Sequence, residues 1–244
     1  MNWHERYIRQ AAWTRELRTY LFERCGWSTA RCVLEVGCGT GAVLTELMMP
    51  GPALHGVDLE RSSLRECREH APAAHLVCAD ARSLPYADQA FGVTFCHFVL
   101  LWIREPLQAL QEMRRVTASA GYVLALAEPD YGARVDQPAE LEWLGQRQNE
   151  ALQKAGVALR RGAELGDLFQ RAGIHLIETG AIRSTHAQAL QKDEWESEWK
   201  VLEADLEGSV SPKEMARIKA VDRQARASGK HMLNVPTYFA WGQV

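Results

Sequence analysis

No stretch of this chain approaches the about 18 consecutive apolar residues that a membrane-spanning helix needs. Its six cysteines, Cys25, Cys32, Cys38, Cys67, Cys78 and Cys96, include no CxxC pair. That excludes the usual zinc spacings and leaves small, reduced core residues, so no bound metal is expected. A charge excess is lacking as well. The formal net charge is −3, which gives no global pull toward nucleic acid. Repeats and low-complexity tracts are absent. The opening "MNWHERYIRQAAWTRELRTYL" is charged throughout, where a secretion signal would carry an apolar core of roughly 7–15 residues. These absences together lead us to expect a cytoplasmic protein, a monomer or homodimer, with neither nucleic acid nor membrane as a partner.

What is present is an ordinary core-forming composition: 244 residues, 47% apolar and 24% charged. Residues 3–24 carry apolar groups at near-helical spacing and are expected to form one covering helix. From Cys32 onward short β-branched runs alternate with helical patterns. "CVLEV", "LHGVDL", "AHLVCAD", the start of "AFGVTFCHFVLLWI", and "GYVLALAE" read as strands, while "AVLTELMM", "RSSLRECREHA" and "EPLQALQEMRRVTA" read as helices. This alternation implies a parallel sheet with helices on both faces. Further on, "GAELGDLFQRAG" is a helix and "IHLIETGAIR" a strand. Residues 184–230 are polar and mostly helical. "MLNVPTYFAWGQV" is a closing strand that Pro236 interrupts or marks as an edge. Trp195, Trp199, Leu202 and Leu206 form an i, i+4, i+7, i+11 stripe within 184–230. It reads as a helix packing its apolar face and, compatibly with that, as a lid whose tryptophans line a pocket.

"VLEVGCGTGAVLTEL" carries the chemistry. A strand that ends in a glycine turn and opens a helix presents backbone N–H groups to a ligand, and glycine permits positive φ and close approach. "GCGTGA" fits the dinucleotide pattern, so its neighbours must choose the ligand. Glu35 lies two residues before the first glycine, where it would repel a pyrophosphate and welcome a cation. Asp58, 21 residues after Gly37, closes the second strand and can accept bonds from ribose hydroxyls. Asp80 ends the third strand and can accept from an adenine amino group. Three acidic strand ends along the carboxyl edge suit an adenosine that carries a positively charged sulfur.

On these residues the chain resembles the class I S-adenosylmethionine-dependent methyltransferases, in their small-molecule, ubiquinone-biosynthesis-like branch. "VLEVGCGTG", "HGVDLE", "CADARSLPYADQAFGVTF" and "LQEMRRVTASAGYVLALAEPD" follow the family's motifs in order. The resemblance implies an α/β Rossmann-like sheet of seven strands, order 3-2-1-4-5-7-6, with strand 7 antiparallel. It further implies one methyltransferase domain over 1–244: a helical cover over 1–30, a core of 31–183 and 231–244, and a helical insertion or lid over 184–230. Glu35, Gly37, Cys38 and Gly39 would hold the methionine part, Asp58 and Leu59 the ribose and adenine side, and Asp80 and Ala81 the adenine. Cys96 would meet the methionine amine through its carbonyl, with His97 beside it. Tyr7, Gln10, Trp13 and Thr14 would close over the cofactor, S-adenosylmethionine, which leaves as S-adenosylhomocysteine. The chain departs from the family pattern at Ser119-Ala120-Gly121, usually Pro-Gly-Gly; at Gly92, usually Asp; and at Leu101, where a histidine is common.

Methyl transfer from a sulfonium is an in-line displacement, and a base is needed only for a hydroxyl or protonated-amine acceptor. The candidate bases are His97, His186, His231 and the Glu128–Asp130 pair. His97 is the best placed, with a hydrogen-bonded structural histidine as its alternative, and His186 and His231 also read as surface residues. Glu128, Asp130, Tyr131, Trp195 and Trp199 are expected at the acceptor pocket. For Glu128 and Asp130 loop capping is the alternative, and for the neighbouring Arg134 it is an exposed salt bridge. The expected activity is methyl transfer to an O, N or C atom of a small-molecule acceptor. The alternatives are an RNA or protein methyltransferase, a non-catalytic binder of the same cofactor, and a nicotinamide-dependent reductase, against which Glu35 and Asp80 argue.

Overall fold

Period-2 alternation of buried side chains builds the sheet. In a computed structural model describing residues 3–182 and 192–244, the strands are β1 (Cys32–Val36), β2 (Ala53–Asp58), β3 (His75–Cys78), β4 (Phe91–Cys96), β5 (Thr117–Pro129), β6 (Val135–Gln137), β7 (His175–Ile182), β8 (Met232–Asn234) and β9 (Thr237–Gln243). The helices are α1 (Trp3–Trp13), α2 (Arg15–Arg24), α3 (Ala42–Glu46), α4 (Arg61–His70), α5 (Pro106–Val116), α6 (Ala139–Lys154), α7 (Arg161–Arg171), α8 (Lys192–Asp205) and α9 (Pro212–Ala227). Among the described residues, no helix is long and apolar enough to cross a membrane.

The main sheet runs β3-β2-β1-β4-β5-β9-β7. β1 pairs in parallel with both β2 and β4, and β4 with β5. β9 is the antiparallel strand; Ala120 and Val244, and then Val244 and Gly121, exchange its first bonds with β5. This is the expected order, with β7 as the sixth strand of the sheet and β9 as the seventh. Odd and even positions feed opposite cores. Val33, Val93, Phe95, Leu124 and Leu126 pack on one face with Leu21, Phe22 and Leu44. Leu34, Val36, Cys96, Val123 and Ala125 pack on the other with Leu110, Met113, Leu165 and Phe169.

The chain divides into two compact units. The first comprises Met1–Glu128, Arg161–Ile182 and Tyr238–Val244, and the second Pro129–Arg160 and Arg183–Thr237. The second unit is therefore larger than the expected 184–230 insertion. It gains β6 and α6, from a stretch in which the sequence suggested no element. Its core joins Leu141 and Leu144 of α6 to Trp195, Trp199, Leu206 and Ile218. Pro236 does split the last segment, and β6 pairs antiparallel with β8 in a separate two-stranded sheet.

Two departures from sequence expectation have local causes. The single helix expected over 3–24 breaks at Thr14, whose hydroxyl turns back to the Ala11 carbonyl at 3.2 Å. At Gly92, where the family usually has Asp, a Cβ would lie 3.0 Å from the Ala30 Cβ, a tight contact.

Candidate functional site

The rim of the first unit's sheet is built by the turn after β1. Gly37, Gly39 and Gly41 all take positive φ, at 72°, 51° and 85°. A Cβ on Gly37 would come within 2.4 Å of Val99 Cγ2, and one on Gly41 within 2.7 Å of Cys67 Sγ. Glycine is thus required twice over, by conformation and by space. The Gly37 and Cys38 N–H groups donate to the Val57 carbonyl at 2.7 and 3.0 Å, which lashes the turn to β2. The Gly39 N–H donates to Asp58 Oδ2 at 2.8 Å, and the Glu60 N–H to Asp58 Oδ1 at 2.9 Å. Asp58 therefore shapes the turn itself, and its remaining lone pairs are the ones left for hydroxyl groups.

Glu35 is 3% exposed. Its Oε2 is buried without a hydrogen-bond partner among the described residues. Burial drives its pKa well above the carboxylate range, opposed by the Arg18 cation and a backbone bond from Leu44. An orphaned carboxylate oxygen behind a glycine turn is an unmet demand for a donor, and a cationic one meets it best. The residues present fit a ligand with an ammonium and a sulfonium.

Asp80 is more committed than expected. Arg82 grips it through Nε at 3.0 and 3.1 Å and Nη2 at 2.7 Å, with the Arg82 N–H adding a bond at 2.8 Å. Those bonds hold its carboxyl below the usual range. Beside these acids, Leu59 is 65% exposed, and Ala81 is half-buried.

On the covering side, α1 packs on α3, and a Cβ at Gly39 would meet Tyr7 Cε2 at 3.7 Å. Gln10 is half-buried, Trp13 is 50% exposed and Thr14 is buried. The Thr14 hydroxyl also lies 2.9 Å from His97 Nε2. Arg18, fully enclosed, donates to Thr14, to the Ala11 carbonyl and to Glu46. The chain Arg18–Thr14–His97 thus ties the helix break to the end of β4. Burial and the Arg18 charge push the His97 pKa down to about 3. A base that weak removes few protons at neutral pH, so this geometry works against the base role expected for His97. Cys96 is wholly buried, and its thiol is pushed up by burial with Glu128 and Glu35 nearby. Phe98, which follows His97, takes φ 57° while its N–H bonds the Ala127 carbonyl at 2.9 Å. Sequence reading had no signal for this strained bulky residue at the rim, a conformation typical of functional sites.

The expected acceptor residues fare differently. Glu128 does not open toward a pocket. It is 0% exposed and accepts the N–H groups of Val99 and Leu100 at 2.9 and 2.8 Å and of Leu101 at 3.0 Å. It anchors the 3-10 turn Leu100–Trp102, and Leu101, where a histidine is common, is buried there. In the second unit Asp130 is a loop cap, accepting the Ala133 N–H at 3.1 Å. The Tyr131 carbonyl accepts from Asn149 at 2.9 Å. Arg134 makes a buried fork with Asp136 rather than an exposed salt bridge. Trp195 and Trp199 are 7% and 1% exposed, with both indole N–H groups donated to Asp222, at 2.8 Å for Trp199. The stripe is a packed face, and its indole N–H groups are spent on Asp222 inside the unit. His231, read as a surface residue, sits 3.2 Å from Asp222. His186 lies outside the described residues.

A seven-stranded sheet of this order, with a glycine turn after its first strand and acids along the rim, defines the class I S-adenosylmethionine-dependent methyltransferase fold. Comparison with known proteins agrees. Residues 34–125 match the family described as "Methyltransferase domain". A malonyl-acyl-carrier-protein O-methyltransferase of Halorhodospira halophila is 34% identical over 168 residues, 60% of this chain and 57% of that protein. A demethylmenaquinone methyltransferase of Renibacterium salmoninarum is 30% identical over 121 residues, 49% of this chain and 51% of that one. Among solved structures, a Haemonchus contortus N-methyltransferase with bound phosphomonomethylethanolamine and S-adenosylhomocysteine superposes with a TM-score of 0.60. It is 16% identical, over 93% of this chain and 52% of that one, a likeness of fold alone. The chain spans about half the length of the relatives it matches. Residues 34–125 thus carry the methyltransferase-domain match, and the chain shares the methyltransferase fold.

Proposed function

We propose that this chain binds S-adenosylmethionine on the rim of β1, β2, β3 and β4 and catalyses transfer of its methyl group to an O, N or C atom of a small-molecule acceptor. The observation that carries the proposal is Glu35, a buried carboxylate with an unpaired oxygen behind three positive-φ glycines. When bound, the cofactor supplies a methyl group on a positively charged sulfur, an electrophile with a good leaving group. Glu35, Gly37, Cys38, Gly39 and the Cys96 carbonyl hold its methionine end. Asp58 accepts from ribose hydroxyls through lone pairs not used by Gly39 and Glu60. Leu59, Asp80 and Ala81 border the adenine, and Tyr7, Gln10, Trp13 and Thr14 cover it. His97 positions, as a neutral ring held by Thr14, and takes no proton. The protein's work is alignment and exclusion of water, effects that supply about 7–11 kcal/mol in favourable cases. The free cysteines support a cytoplasmic setting.

Calorimetry on the purified chain tests the reading, followed by transfer of labelled methyl groups into a small-molecule extract. Binding of S-adenosylmethionine and S-adenosylhomocysteine with labelled low-mass product is expected. Uptake of NADH with indifference to the methyl donor would overturn it. Binding without any transfer would leave a non-catalytic binder.

A further inference from the structure

A second cluster lies on the other side of the glycine turn. His4 sits in the first turn of α1, while Glu66 and His70 stand four residues apart on one face of α4. One donor atom from each falls within 4.8 Å of the others. The His4 and His70 rings stack, with centroids 3.4 Å apart and planes 3° from parallel. His4 is 6% exposed, and its Nδ1 is held by the Thr40 hydroxyl at 2.9 Å.

We propose that His4, Glu66 and His70 bind a divalent zinc-type cation that ties α1 to α4 beside the glycine turn. The donor chemistry selects the class. Two imidazoles and one carboxylate suit zinc and its later first-row neighbours, whereas magnesium and calcium prefer oxygen alone. Three protein ligands with water in the fourth position is an established zinc arrangement, with Zn–N distances of about 2.0–2.1 Å. Thr40 does what an outer partner of a metal-bound histidine does: it fixes the ring and leaves Nε2 for the ion. Donor atoms around a tetrahedral zinc stand about 3.3 Å apart, so the ligands must close in. Glu66 and His70 are half-buried and have side-chain freedom to swing, while His4 is the fixed point. The stacked rings must also tilt so that both lone pairs converge, a rotation of His70 about its own side-chain bonds. No sequence spacing betrays this site, because His4 and Glu66 are 62 residues apart. The search for CxxC pairs, which led us to expect no metal, could not have found it. The site stands independently of the methyl-donor reading.

The test is titration of the untagged, chelator-stripped full chain with zinc by calorimetry, and with cobalt by visible absorption. One ion per chain is expected, with a tetrahedral cobalt spectrum and a raised melting temperature. His70→Ala and Glu66→Gln should each weaken binding at least about tenfold, and Thr40→Val about tenfold through the loosened His4 ring. Their metal-free melting temperatures, matched to the parent chain, show that the fold is kept. Should His70→Ala fail to fold, Glu66→Gln carries the test. No stoichiometric binding by the parent chain, or equal binding by the folded variants, would overturn the site.

Discussion

Each unit of this molecule buries a carboxylate at 3% exposure, Glu35 in the first and Asp222 in the second, and their surroundings are opposite. Asp222 receives both indole N–H groups, the Arg226 Nε at 3.0 and 3.2 Å, and His231 at 3.2 Å. Lys219 and Arg223 lie over the same tryptophan rings. Glu35 has an oxygen with no donor at all among the described residues. Desolvating a carboxylate costs several kcal/mol, and only a full set of partners offsets it. The satisfied acid is a piece of architecture. The unsatisfied one lies behind the glycine turn, where the proposed ligand's cation would complete it.

The largest expected effect breaks the architectural half. Asp222→Ala strands two buried indole N–H groups and the Arg226 charge, and we expect a loss of about 3–5 kcal/mol in chemical denaturation. Affinity for S-adenosylmethionine in the folded variant should stay close to that of the parent. A folded, stable Asp222→Ala chain with abolished binding would erase the contrast between the two acids.

Glu128 sharpens the contrast, being buried yet satisfied by backbone alone. Its carboxyl is pushed up to about 7 by burial, against three N–H bonds. A folded-state pKa above the unfolded value means a contribution that is fully present at acid pH, below about 4.3, and lost as pH rises through 7. Glu128→Gln removes that slope. The stability difference between parent and variant should shift by up to about 3 kcal/mol between pH 4.5 and 7.5, in the variant's favour as pH rises. A constant penalty of about 1 kcal/mol sits beneath it, for the amide that faces the Leu101 N–H. Parallel stability curves would show that Glu128 is ionised throughout.

Glu35→Gln tests the other half. Neutralising an uncompensated buried acid should leave stability at pH 7 unchanged or raised. Binding of the methyl donor should weaken about 10–100-fold, the value of a hydrogen bond to a charged group. The sign with pH follows from the raised pKa of Glu35. A protonated acid must release its proton to receive a cation, so the parent's affinity rises with pH and the variant's does not. Titrations in buffers of different ionisation heat would count the proton. Equal affinity and equal pH dependence in the two chains would remove Glu35 from the site.

Much of the first unit was legible because its signals are local. Short β-branched apolar runs marked β1 to β5, and the order of motifs carried the strand order through β7 and β9. The glycine turn announced itself by residue type. What escaped depended on partners far along the chain. Thr14, where the first helix breaks, also meets His97, 83 residues away. Glu128 is explained only by backbone 27 to 29 residues earlier. The tryptophan stripe was visible, but its acceptor is on another helix, 23 and 27 residues on. α6 buries only Leu141, Leu144 and Gly145, too thin a face to stand out, and Gly145 is there because a Cβ would meet Asp136 Oδ2 at 2.2 Å.

Ala120 shows that backbone strain need not mark a ligand. It stands where related chains usually carry glycine, and it holds φ 64°. Its N–H bonds the Val244 carbonyl at 3.0 Å, and its own carbonyl accepts from Gln243 at 3.1 Å, so two bonds to the antiparallel strand fix the strained conformation. This turn precedes the parallel part of β5, at the sheet edge opposite the glycine turn. A left-handed alanine costs about 1–2 kcal/mol, and glycine would surrender about 0.4–1 kcal/mol of that through unfolded-state entropy. Ala120→Gly should therefore raise stability by roughly 0.5–1 kcal/mol with no change in cofactor affinity, while Ala118→Gly, lacking the positive φ, should lower it. If Ala120→Gly altered affinity instead, strain at the far edge would be coupled to the rim where the proposed ligand binds.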